Sequence, residues 1–130
     1  MQDLRNITDL DEDEVMISFD VVSLFTNTPV DLALNQTEML LINDNTLSER
    51  TNLDVPEIML GIRLCVNNMF FSANDKIYQQ IQGLPMGSNL SPVLANIAMQ
   101  YIETTALSTF NNSVKLWKRY VDDTFGLIKK

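Results

Sequence analysis

Histidine is absent from these 130 residues, and cysteine occurs once, at Cys65. The chain therefore has neither a disulfide framework nor a Cys/His zinc site, and its lone thiol in an apolar helical pattern gives a reducing, intracellular location as the expectation. Long apolar runs are also missing. None approaches the roughly 18 residues that span a bilayer, and Met1 is followed by polar and acidic residues instead of a basic and then apolar leader, so no membrane partner is expected. Pro, Gly and Ser are too sparse to form a linker that divides the chain, and a hydrophobic fraction of 45% suffices for one packed domain. Basic residues are few: 9 Lys and Arg face 17 Asp and Glu, a formal net charge of −8. Phosphate-backbone affinity comes mainly from clustered Lys and Arg, so this balance argues against a stand-alone nucleic-acid binder. The charge is unevenly placed, however. Residues 1–14, an acidic head, carry a net −5, and the other 116 residues carry −3. Near the C-terminus Lys115, Lys118, Arg119, Lys129 and Lys130 reverse the sign locally.

What is present is a regular alternation of patterns. Val15 to Val22 is rich in β-branched and aromatic residues around one charge, Asp20, and predicts a buried strand. Thr28, Pro29 and Asp31 form a helix-start signature, predicting a helix over about 29–43 with Thr28 as its cap. A polar loop over 43–52 precedes a second capping pattern, Asp54 with Glu57. Ile58, Ile62, Cys65, Val66 and Met69 then follow at helical spacing and predict a core-facing stripe. Residues 69–72 and 76–81 predict a β-hairpin turning at Ala73-Asn74-Asp75. Val93, Leu94, Ile97, Ala98, Tyr101, Ile102 and Thr105 mark the longest helix, about 89–108. Val114 to Val121 and Thr124 to Ile128 read as a second hairpin with Asp122-Asp123 at its tip. The simplest packing of this order is α+β, an antiparallel sheet with helices packed on one face.

Three features carry chemistry, and each has an ordinary reading beside the functional one. A carboxylate inside an apolar strand wants compensation, so Asp20 is either an ion-pair partner or a metal ligand. Asp122-Asp123 is either a solvated turn or a pair of ligands. Together, two adjacent carboxylates at a hairpin tip and one at a strand end can converge on two hard cations, the arrangement that performs phosphoryl transfer by positioning and charge neutralisation. Such a site needs no His or Cys nucleophile. The segment Gly83-Leu84-Pro85-Met86-Gly87-Ser88-Asn89-Leu90-Ser91-Pro92 is a Gly-bearing loop with Ser91 as cap and Pro92 in the first helical turn. Gly87 there also permits close approach of a nucleotide or template base.

Phe19-Asp20-Val21-Val22-Ser23-Leu24-Phe25-Thr26-Asn27 resembles motif A of reverse transcriptases, Gly83 to Pro92 resembles motif B, and Tyr120-Val121-Asp122-Asp123 resembles motif C. The wording of the first two boxes is most similar to that of Penelope-like retroelements, relatives of telomerase reverse transcriptase. The resemblance spans nearly all of residues 15–130 and implies the polymerase palm of a right-hand enzyme, with the acidic head over 1–14 before it. It further implies RNA-directed DNA polymerase activity, a nucleotidyl transfer from dNTP to a primer 3′-hydroxyl on an RNA template. Asp20, Asp122 and Asp123 would be the catalytic carboxylates and the ligands of two Mg2+ ions, or of Mn2+ in their place. Phe25 matches the steric gate under the nucleotide sugar, although without the motif it reads equally as a core aromatic. Met86 and Gly87 match positions near the incoming nucleotide and template base; Met packs but cannot donate a side-chain hydrogen bond. Asn89 departs from the Pro expected in Penelope-like sequences, which affects loop stiffness more than chemistry. The fingers, thumb, later palm motifs and any GIY-YIG endonuclease of such an enzyme are expected in other segments of the same polyprotein, leaving this fragment inactive alone. The DNA primer would be extended in the nucleus, where such an element inserts. Two alternatives accompany this reading: a non-catalytic retroelement remnant, and an acidic protein-interaction domain whose aspartates are structural.

Overall fold

The computed structural model describes residues 11–110 and 113–130, so most of the acidic head lies outside the described residues. Two compact units emerge. The first joins the N-terminal segment through Val22 to residues 102–130, and the second comprises Ser23–Tyr101.

The first unit is a three-stranded antiparallel sheet of order β1-β5-β4, with β1 Glu14–Asp20, β4 Val114–Tyr120 and β5 Asp123–Lys129. Ile17, Phe19, Trp117, Phe125 and Leu127 supply the β-branched and bulky side chains that suit a pleated surface. Leu116 and Leu127 are its buried apolar residues. Leu116 pairs with Leu127 and Val114 with Ile128, so Lys115 is an extra residue in β4. Such a bulge re-aims its side chain. The Lys115 ammonium donates to the buried Glu14 carboxylate at 2.6 Å, and the Asp11 backbone N–H donates to the same carboxylate at 3.0 Å. The lysine, then that amide, hold the Glu14 carboxyl below its usual range, and the Glu14 carboxylate in turn raises Lys115. Glu14 is thus an internal anchor of the sheet.

The second unit is mainly helical: α1 Leu24–Asn27, α2 Val30–Ile42, α3 Leu47–Arg50, α4 Val55–Asn67, the hairpin β2 Phe70–Ala73 with β3 Lys76–Gln79, and most of α5 Ser91–Thr109. Its core is Leu24, Ala33, Leu34, Met59, Val66, Leu84, Leu94, Ala95 and Ala98. The capping box at α4 forms as expected: the Glu57 N–H donates to the Asp54 carboxylate at 2.9 Å, and the Asp54 N–H donates to the Glu57 carboxylate at 2.8 Å. The β2–β3 turn is Asn74-Asp75, both with positive φ (50° and 57°), a pairing that matches strand twist and that Asn and Asp tolerate. Phe71 and Tyr78 stack across it with ring centroids 5.5 Å apart.

Several expectations need correction. The first strand ends at Asp20 and is largely exposed instead of buried. The N-cap of α2 is Pro29; Thr28 instead donates its hydroxyl back to the Leu24 carbonyl at 2.6 Å, closing the unforeseen turn α1. The 43–52 loop contains α3, and Cys65 lies on the exposed side of α4. No helix among the described residues is long and apolar enough to cross a membrane.

Candidate active site

Asp20 closes β1, Asp123 opens β5, and the two are direct partners in the antiparallel ladder. Residues so opposed share one face, with Cβ atoms roughly 5 Å apart. Tyr120 faces Asp123 from the other side. One row across the sheet end therefore reads Asp20, Asp123, Tyr120. It opens to solvent: Tyr120 is 82% exposed, and both aspartates are exposed too. Desolvation inside the strand, the expected reason for Asp20 to need a partner, does not operate. The opposing carboxylate replaces it, because like charges directly across a ladder destabilise it.

The turn between β4 and β5 consists of Val121 and Asp122, one residue earlier than expected, and Asp123 already belongs to the ladder. The Val21 N–H donates to the Asp122 carbonyl at 3.1 Å, tying the end of the β1 segment to the turn. Val121 has φ 59°, a left-handed conformation that β-branched residues avoid. Such backbone persists only where surrounding bonds over-determine it.

The reverse face of the sheet supplies that support. Phe19, Thr124 and Arg119 form one row and Ile17, Gly126 and Trp117 the next. A Cβ at Gly126 would approach Ile17 and Trp117 at 3.1 Å each, so glycine lets both large side chains lie across β5. Phe19 contacts Trp117 with ring centroids 6.0 Å apart, which fixes the strand residue next to Asp20. From the last turns of α5, one Glu103 carboxylate oxygen accepts from Trp117 Nε1 at 3.0 Å and from Arg119 Nε at 2.9 Å. Arg119 Nη1 donates onward to the Val121 carbonyl at 3.0 Å. Sequence reasoning missed Glu103 and Arg119. Arg119 adjoins the Tyr120 to Asp123 box, but nothing local marks Glu103, whose partners lie 14 and 16 residues further along the chain.

The side-chain donors at the sheet end are oxygen only, which suits hard divalent cations such as Mg2+ or Mn2+ and not the softer metals that Cys and His select. The ladder brings Asp20 and Asp123 together and leaves Asp122 beside them in the turn. Among the described residues, no three His, Cys, Asp or Glu side chains stand as a ready metal-holding group.

Phe25, Met86 and Gly87 belong to the helical unit, where they line one cavity of about 440 Å3 with Pro85, Ser88 and Pro92. Backbone contacts build it. The Leu84 N–H donates to the Phe25 carbonyl at 2.7 Å. Gly83, at φ 73°, lies so close to Thr26 that a Cβ would fall on its backbone. Ser91 donates its hydroxyl to the Pro85 carbonyl at 2.5 Å, closing the loop onto the start of α5; it binds this carbonyl and does not act as a simple cap. Gly87 takes φ 84° with open space where a side chain would stand. Phe25 is half-buried and Met86 is 65% exposed. Asn89 lines the same cavity.

An antiparallel sheet that presents carboxylates at a hairpin end, with helices beside it in the chain order, defines the polymerase palm class. The chain belongs to the reverse transcriptase (RNA-dependent DNA polymerase) family, whose match covers residues 1–130. Among solved structures, it is similar to apo telomerase from Candida tropicalis truncated from its C-terminal domain, with TM-score 0.70 and 15% identity over 90% of this chain and 24% of that one. It is similar also to telomerase from Candida albicans in complex with a fragment of telomeric RNA, with TM-score 0.68 and 16% identity over 91% of this chain and 23% of that one. The chain thus spans about a quarter of the length of these neighbours. No curated protein matches the sequence significantly.

Proposed function

We propose that this chain is the palm core of an RNA-directed DNA polymerase that adds dNTPs to a DNA primer on an RNA template, and that it derives from a Penelope-like retroelement. The observation that carries the polymerase reading is the in-register pair Asp20 and Asp123 with Asp122 in the adjoining turn, in a chain of the reverse transcriptase family. The wording of the Phe19–Asn27 and Gly83–Pro92 boxes supports the retroelement reading, and a nuclear site of action follows from it. Asp20, Asp122 and Asp123 would hold two Mg2+ ions, or Mn2+, which when bound supply Lewis-acid stabilisation of the attacking and leaving oxygens. The protein's own contribution is to fix three carboxylates on a rigid sheet end. In the helical unit, Phe25 would pack under the nucleotide sugar, while Met86 and Gly87 bound the nucleotide by shape and close backbone approach.

The test is primer extension by a polypeptide that carries this chain together with fingers and thumb segments, on a primed RNA template with Mg2+. Asp122→Asn should lower kcat by about 10³-fold or more, since loss of charge stabilisation of several kcal/mol translates so. Unchanged incorporation by a folded Asp122→Asn enzyme sinks the assignment.

A further inference from the structure

We propose that Glu103 and Arg119 are positioning residues for the carboxylate turn, acting through the backbone of Val121; the inference rests on the metal-site reading given above. The geometry is a relay on the face opposite the aspartates. The Glu103 carboxylate fixes the Arg119 guanidinium through Nε, and Trp117 Nε1 fixes the same carboxylate oxygen. The guanidinium, held at its inner nitrogen, presents Nη1 to the Val121 carbonyl. Both charged side chains are well covered, at 10% and 14% relative exposure, so the pair is screened far less than a surface ion pair. The carbonyl that it grips belongs to the residue with φ 59°, directly between Tyr120 and Asp122. Rotating that peptide changes ψ of Val121 and φ of Asp122, and so re-aims Asp122. Arg119 opposes the rotation with a donor whose direction is set by a planar fork. A turn held this way presents its carboxylates to a cation already aimed, and the cost of ordering them is not charged to binding.

The fork is the discriminating feature. Arg119→Lys keeps a cation for Glu103 but has one nitrogen, which cannot bond the carboxylate and the Val121 carbonyl along a rigid plane. The probe is Mn2+ alone, titrated into the 130-residue chain and followed by the electron paramagnetic resonance signal of the free ion. Folding is monitored in parallel through the near-ultraviolet circular dichroism of Trp117, the sole tryptophan. The expected result is that Asp122→Asn weakens Mn2+ binding at least tenfold, and Arg119→Lys weakens it three- to tenfold with a urea midpoint close to that of the parent. Glu103→Gln removes charge but retains an oxygen acceptor for Trp117 and Arg119, and should weaken Mn2+ binding less than Glu103→Leu does. Glu103→Leu should weaken binding as Arg119→Lys does, and it serves as the second test if the lysine variant does not fold. Weak binding by Asp122→Asn with parental affinity in Arg119→Lys and Glu103→Leu overturns the relay and leaves the metal site standing. Equal weakening by Glu103→Gln and Glu103→Leu also overturns it, since bare charge would then be the cause. Parental affinity in Asp122→Asn overturns the metal site, and the relay with it.

Discussion

Two carboxylates facing each other across a ladder should make the metal-free protein less stable than a variant that lacks one of them. Asp20 and Asp123 are direct partners at an exposed sheet end. With their charges roughly 5 Å apart in a water-like dielectric, the repulsion is about 0.8 kcal/mol, and physiological salt trims it toward about 0.5 kcal/mol. Asp123→Asn removes it while preserving shape. In EDTA, the variant should unfold at a temperature about 2 °C above the parent, given roughly 3–5 °C per kcal/mol for a chain of this size. Divalent cation should invert the order. At a free Mg2+ or Mn2+ concentration ten times its Kd, the parent gains about 1.4 kcal/mol and the variant much less. Thermal melts followed by Trp117 fluorescence report on this sheet directly, because the only tryptophan pairs with Gly126 within it. Asp75→Asn, in the β2–β3 turn, removes one acid elsewhere and should show neither effect. If Asp123→Asn melts below the parent in EDTA, or if the parent's melting temperature ignores millimolar Mn2+, the reasoning is refuted.

Two further outcomes test the supports of the two units. Glu14 has its carboxyl lowered by the Lys115 ammonium and the Asp11 amide. Its stabilising contribution is therefore complete above the ordinary carboxylate range and is lost as pH falls through the lowered folded value. Lys115 is raised, chiefly by the bond to Glu14, so its contribution is present below the ordinary lysine range and is lost as pH rises through the raised folded value. Urea midpoints of Glu14→Gln should be lower than the parent's between these limits and converge with them at acid pH; parallel profiles across that acid range would contradict the assignment. In the helical unit, Gly83→Ala should cost about 2 kcal/mol or more, because the methyl meets the Thr26 backbone at a positive φ. Gly87→Ala, with open space, should cost only about 1 kcal/mol from its φ. Equal urea midpoints for the two variants would show that the Gly83–Thr26 approach is not what holds the loop.

Much of this architecture was legible because local and global preferences agree. The capping box at Asp54 and Glu57, the α5 periodicity and the β2–β3 hairpin need only neighbouring residues to specify them. The misreadings fall where tertiary bonds override a local preference. Val121 has a strand-forming side chain, and by propensity it continues β4 and leaves Asp122-Asp123 as the turn. In the fold it takes φ 59° instead, because Arg119 binds its carbonyl, Val21 binds that of Asp122, and Asp123 is drawn into register with Asp20. That one-residue shift matters chemically. With a two-residue turn at Val121-Asp122, Asp123 shares a face with Asp20, whereas a turn at Asp122-Asp123 would have left neither of them in the ladder. The same long-range bonds explain why Glu103 was invisible. A glutamate on a helix surface is ordinary, and only the approach of α5's last turns to β4 turns it into an acceptor for two part-buried donors. The three ordered boxes single out the candidate residues; the bonds that hold their turn come from the reverse face of the sheet.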